Sequence, residues 1–156
     1  MVGYAFSRRL TERVECIREI QGFLMELENE IHYMNRPLGQ AFMSLSRGKK
    51  DRISGFARRV CELHTKMEIS IEAAWHKCLE EFRSQWPIHR EEWDLLYCIG
   101  EVLGKTDREN QSSFLSLMRE KFAVREKAAE EDRTKKDKLY KNLGVLGGLA
   151  VVLVLI

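Results

Sequence analysis

Apolar residues recur along most of this chain at steps of three and four, the period of a helix that buries one face. Leu10, Val14, Ile17, Gln21, Leu24, Glu28 and Ile31 mark one such face, with Leu27 and Met34 beside it. Their mean step of about 3.5 predicts a long first helix from about Phe6 to Asn35, with a seam for a partner helix. Pro37 suits the first turn of a short second helix ending near Leu45, and residues 46–50 read as a loop. Asp51 is placed to cap a third helix whose apolar face is Ile53, Phe56, Ala57, Val60, Cys61, His64 and Met67. Ser70 is placed likewise for a fourth helix, with Ile71, Trp75, Cys78, Leu79 and Phe82 on one side. Pro87 divides it from a fifth, whose face is Trp93, Leu96, Tyr97, Gly100 and Leu103.

Gly104 reads as the left-handed stop of that fifth helix, and Thr106-Asp107-Arg108-Glu109 as a capping box that opens a sixth. The sixth helix carries Gln111, Phe114, Leu115, Met118 and Phe122, then turns almost wholly polar from Arg125 to Lys138. A helix without an apolar face has no reason to stay in a bundle, so this stretch is expected to have left it. Leu143 to Ile156 then hold no polar or charged side chain. No alternation of period two runs beyond four residues. The pattern therefore predicts an all-α protein: a six-helix bundle over 1–132, a basic juxtamembrane stalk over 133–142, and a transmembrane helix over 143–156.

The apolar end alone is ambiguous, since fourteen residues span only about 21 Å against a hydrocarbon core of roughly 30 Å. A core helix folded back into the bundle is the rival reading. The flank decides between them: Arg133, Lys135, Lys136, Lys138 and Lys141 precede the segment, and Tyr140 stands where an interfacial aromatic belongs. Leu139, Tyr140 and Asn142 extend the buried length while the lysines reach outward. The excess of basic residues on this side places the soluble domain in the cytoplasm. Gly144 and Gly148 form a GxxxG pair, which either allows close helix packing in lipid or merely fills a short apolar helix.

Composition adds exclusions. The 156 residues suggest one domain, and a net charge of +2 is too small to imply nucleic acid. Basic residues alternate with acids and do not gather into a stripe. The four cysteines, Cys16, Cys61, Cys78 and Cys98, form no CxxC pair and read as small core residues in a reducing compartment. Met1 to Phe6 runs straight into Ser7-Arg8-Arg9, which does not read as a signal peptide.

No enzyme is expected, and no catalytic, cofactor or metal residue. His32, His64, His76 and His89 fall in separate elements, and HExxH, GxxxxGK[ST], GxGxxG and GxSxG are absent from the sequence. Glu26, Glu28 and Glu30 are two apart on a helix and so point to different faces. Glu80-Glu81 and Glu91-Glu92 read as solvated, and Trp75, Trp86 and Trp93 as core or interface anchors. Glu28 and Gln111 each interrupt an apolar face; they are either edge positions or a buried hydrogen bond that fixes register.

Several segments resemble one known family. Leu27-Glu28-Asn29-Glu30-Ile31 with Arg36-Pro37-Leu38 and Ala41 is similar to the "LETEI…TPLxEAL" stretch of the stage III sporulation protein AB family, and Ala73-Ala74-Trp75 to its "AW" helix. Ile99-Gly100, Leu103-Gly104, Asp107 and Asn110-Gln111 resemble its "LGxxLGxxDxxxQ" turn. Residues 138–149 resemble its "KLYRSLGVLGGL" terminus. The resemblance implies a bundle like the cytoplasmic domain of type II secretion F proteins. It implies a membrane component of the channel apparatus joining mother cell and forespore in endospore formation, in the mother-cell membrane around the forespore. Its implied partners are a stage III sporulation AA-type cytoplasmic ATPase, other membrane proteins of the same complex and further copies of itself. The expected interaction surface is the turn from Gly100 through Gly104 and Asp107 to Gln111, with Glu28 and Glu30 on the first helix. Two departures stand out. Members usually begin with a second hydrophobic segment, and Met34-Asn35-Arg36 replaces a small-residue turn. From another class, the rival is a tail-anchored regulator that binds an amphipathic helix in a groove, whose expected NWGR motif this sequence lacks.

Overall fold

A computed structural model describes residues 2–105 and 107–156, with the side chain of Val2 left out. Six helices follow one another among the described residues: α1 (Val2–His32), α2 (Leu38–Leu45), α3 (Arg52–Lys66), α4 (Ile71–Phe82), α5 (Arg90–Val102) and α6 (Arg108–Leu155). Each packs on the next, and α6 returns to pack along α1, so the six close a ring. The six-helix bundle expected from periodicity is the fold, and the apolar C-terminal helical stretch expected after it is the end of α6 itself.

The helix ends show local causes. Asp51 and Ser70 cap α3 and α4 as expected, accepting from the backbone N–H of Ser54 and Ala73. Asp107 caps α6 by accepting from Asn110 N at 3.2 Å, one residue beyond the expected start of the capping box. Thr106 itself lies outside the described residues. Pro37 is the N-cap residue of α2 and precedes its first turn. Gly104 follows α5 with φ +83°, the left-handed stop expected of it. Asn35 turns the chain after α1 with φ 54°, a conformation asparagine tolerates better than most side chains. This is how the unusual Met34-Asn35-Arg36 turn closes.

Trp75 sits at the centre of the core, fully buried. Phe56, Phe42 and Phe23 surround it at ring-centroid distances of 4.8, 5.9 and 6.4 Å. Its indole N–H donates to the carbonyl of Leu96 at 2.8 Å, so the one polar atom of the ring is satisfied. Gly100 lets α5 approach this ring: a Cβ there would stand 2.4 Å from Trp75 Cδ1. The apolar faces differ from expectation in detail. On α3, Leu63 and Ser54 are buried while Met67 is exposed, and Met34 is exposed beyond the end of α1.

The largest difference concerns α6, a single helix of 48 residues. Its polar stretch does not leave the bundle. It continues antiparallel along α1, held by pairs described below, and the backbone runs unbroken through residues 133–142 into the apolar end. Polar residues remain in a bundle when the facing helix offers matching charges, and hydrophobic periodicity carries no trace of that. The last residues contain the one stretch among the described residues long and apolar enough to cross a membrane, and it is wholly exposed in the chain alone.

Candidate functional site: a two-ended helix pair and a buried ion network

Pairs along α1 and α6 fix their register and give the molecule two ends. At the far end Ser112 donates to Glu28 at 3.3 Å, and Arg119 faces the same carboxylate at 3.6 Å. Midway, Arg18 pairs with Glu126 at 2.6 Å and with Glu130, and Gln21 donates to Glu126 at 2.6 Å. Nearer the apolar end Arg13 meets Asp132 at 3.2 Å and Ser7 donates to Asp137 at 3.3 Å. Lys136 lies 3.8 Å over the Phe6 ring, and Gly3 abuts the ring of Tyr140.

One part of this seam went unnoticed in the sequence. Arg13 and Glu92 are both buried, with relative exposures of 1% and 0%. They pair at 2.5 Å, and Arg125 approaches the same Glu92 oxygen at 3.2 Å. Glu92 also accepts from the backbone N–H of His89 at 2.7 Å, which seals the start of α5. Burial opposes ionisation of this carboxyl, but Arg13, the His89 N–H and Arg125 together outweigh it and hold its pKa below the usual 4.5. Glu92 was expected on a solvated face; it is instead the buried link between α1, α5 and α6. Burying one charge requires opposite charge from elsewhere, and here it comes from residues 79 and 33 positions away. No local signal in the sequence announces this. His89, Glu91 and Glu92 lie within 4.8 Å of one another. Two guanidiniums already face Glu92, so the trio reads as a capped helix start and not as a metal centre.

The expected interaction residues separate into four places. Glu28 lies at the far end of the α1–α6 seam, where it accepts a hydrogen bond from Ser112 on α6. Gln111, the residue before Ser112, is buried. Glu30 turns away toward α2, facing Arg36 at 3.0 Å and Ser44 at 3.4 Å. Gly100 is inside the core, and Gly104 and Asp107 are exposed on the connecting turn. Gly144 and Gly148 lie on the apolar end with open space where a Cβ would be. Burial pushes the thiols of Cys16 and Cys78 up to about 12, which makes them packing groups and not nucleophiles. Cys61 is half-buried and Cys98 exposed, so the expected core role fits two of the four cysteines.

Comparison with known proteins gives a consistent picture. A family model described as stage III sporulation protein AB matches residues 1–156. The chain is similar to stage III sporulation protein AB of Bacillus subtilis (strain 168), at 29% identity over 153 residues, covering 98% of this chain and 90% of that protein. A solved structure of stage III sporulation protein AB superposes with a TM-score of 0.72 at 26% identity, covering 80% of this chain and 98% of the other.

Proposed function

The chain belongs to the stage III sporulation protein AB family, and on that footing we propose that it is a non-enzymatic membrane scaffold of the sporulation apparatus. It holds a cytoplasmic secretion-type ATPase, of the stage III sporulation AA type, in the mother-cell membrane complex around the forespore. The observation that carries this reading is the two-ended build of α6. Its first residue follows the Gly104–Asp107 turn, and its last turns are the apolar exposed end. At about 1.5 Å per residue, the turn stands roughly 50 Å from the start of that end. A partner bound at the turn is thus held clear of the lipid and in the cytoplasm, the side on which the basic flank keeps the bundle.

The docking surface is the exposed turn with the Glu28 corner beside it. The buried Gly100 acts behind it by setting the α4–α5 approach. Asp107→Asn separates the two roles of Asp107, because asparagine still caps a helix but carries no charge. The full chain in detergent should bind the purified ATPase, and Asp107→Asn should weaken that binding several-fold while leaving the melting temperature unchanged. Unaltered affinity would move the surface elsewhere. Failure of the wild-type chain to bind the ATPase, with or without nucleotide, would remove the scaffold reading itself. Orientation has its own check. A cysteine placed at Lys136, in a background free of the native four, should resist a membrane-impermeant thiol reagent in intact cells.

A further inference from the structure

We propose that the apolar-end face of the bundle holds the phosphate of an anionic phospholipid in the cleft between α1, α6 and the α4–α5 connection. The cleft has a volume of about 260 Å³, room for a phosphodiester group. Arg9 and Arg13 line it from α1, Asp132 and Lys136 from α6, and Trp86 and His89 from the connection. Three full positive charges face one carboxylate, and that carboxylate is already engaged by Arg13. Arg13 gives its two terminal nitrogens to Asp132 and Glu92 and keeps a buried Nε with no partner among the described residues. Neither Arg9 nor Lys136 forms an ion pair among the described residues. The chemistry is that of an anion site.

Position identifies the source of the anion, and this step rests on the membrane anchorage proposed above. Tyr140 stands on α6 where an interfacial aromatic belongs, so the hydrocarbon edge falls near it. The headgroup layer is roughly 5–8 Å deep on each side, three to five residues of helix, and so reaches from there to about Lys135. Lys136 and Phe6 lie within that depth, at the mouth of the cleft. Tyr4 and Phe6 on α1 are exposed by 79% and 39% within about one helical turn of Tyr140 on α6, itself exposed by 42%, as an interfacial aromatic belt would be. The interfacial aromatics and the basic flank set the cationic cleft at the depth of lipid phosphates.

Native mass spectrometry of the full chain released from micelles containing phosphatidylglycerol or phosphatidylcholine tests this. The wild-type chain should retain one phosphatidylglycerol in preference to phosphatidylcholine. Arg9→Glu with Lys136→Glu should lower that retention by about tenfold or more, since each cation near a lipid surface contributes about 1 kcal/mol. Arg108→Glu with Lys121→Glu makes the same charge change at the other end of α6 and should leave retention intact. Circular dichroism should show all variants equally helical. Equal retention of both lipids, or equal loss in the distal variant, would overturn the proposal. Displacement of the lipid by millimolar inorganic phosphate would reassign the cleft to a free anion and overturn it too. Membrane anchorage is read separately, by whether the wild-type chain stays with membranes in alkaline carbonate.

Discussion

α6 meets α1 twice, by two different kinds of contact. Over Gln111 to Phe122 it buries Leu115, Met118 and Phe122, with Phe122 wholly enclosed. From Arg125 to Asp137 it buries only Ala129 and instead engages Arg13, Arg18, Gln21 and Ser7 of α1 through carboxylates. The first contact excludes water and, apart from the Arg119–Glu28 pair, is indifferent to salt; the second depends on charge and, except around Glu92, remains wet. Contact length along a helix therefore says little about how tightly each part is held.

The sharpest test of this contrast is Phe122→Ala. Deleting a fully buried ring should cost about 3–5 kcal/mol in denaturant unfolding of the full chain in detergent, with no dependence on salt. A loss below about 1 kcal/mol would mean that the apolar contact can collapse around the gap. Next comes Arg13→Met, which leaves the buried Glu92 with Arg125 alone. Breaking one side of a buried pair should cost about 3 kcal/mol or somewhat more, and Arg13→Met combined with Glu92→Leu should recover much of it. Absence of that recovery would show that Arg13 acts through packing and not through charge.

A smaller effect is expected with pH. The folded protein holds Glu92 ionised below its usual pKa of 4.5, so the unfolded chain takes up the proton first. The contribution of Glu92 is complete above about pH 4.5 and is lost as pH falls through its lower folded value. Glu92→Gln should flatten that acid limb of a stability–pH curve. An unchanged limb would assign the acid sensitivity to other carboxylates. The smallest effect is expected from Arg18→Ala on the exposed stretch: a slight drop in melting temperature at low salt that roughly 1 M sodium chloride abolishes. A large drop that survives salt would erase the distinction between the two contacts.

The same contrast explains what could be read beforehand. Asp51, Ser70 and Gly104 act through the few residues next to them, so their roles in ending or starting helices were legible. The stripe through Val14, Ile17, Leu24 and Ile31 was legible for the same reason, since one helix reports its own buried face. The place of Glu28 on that stripe left an edge position and a hydrogen bond both open, and only the structure supplies Ser112 as its partner on α6. Arg13 and Glu92 were invisible because each looks like an ordinary surface charge until the other is brought up from 79 residues away. The polar half of α6 was misread by the same logic: periodicity sees water-excluding contacts and is blind to complementary charge. Gly100 was noticed for its place in the turn, yet the reason for it lies in the Trp75 ring on another helix.

The unbroken length of α6 has a mechanical consequence. With no proline or break between Arg108 and Leu155, the apolar end and the rod in the bundle share one axis, and in the anchorage proposed above that axis passes into the bilayer. Helices change tilt when membrane thickness or neighbouring spans change. A tilt of about 10° would swing the Gly104–Asp107 turn sideways by roughly 9 Å, given its distance of about 50 Å along the rod. Anchored as proposed, the protein is a lever whose fulcrum is the headgroup layer. Thickness or crowding in the membrane becomes lateral displacement at the turn, and a cycle of movement imposed there becomes a rocking of the span.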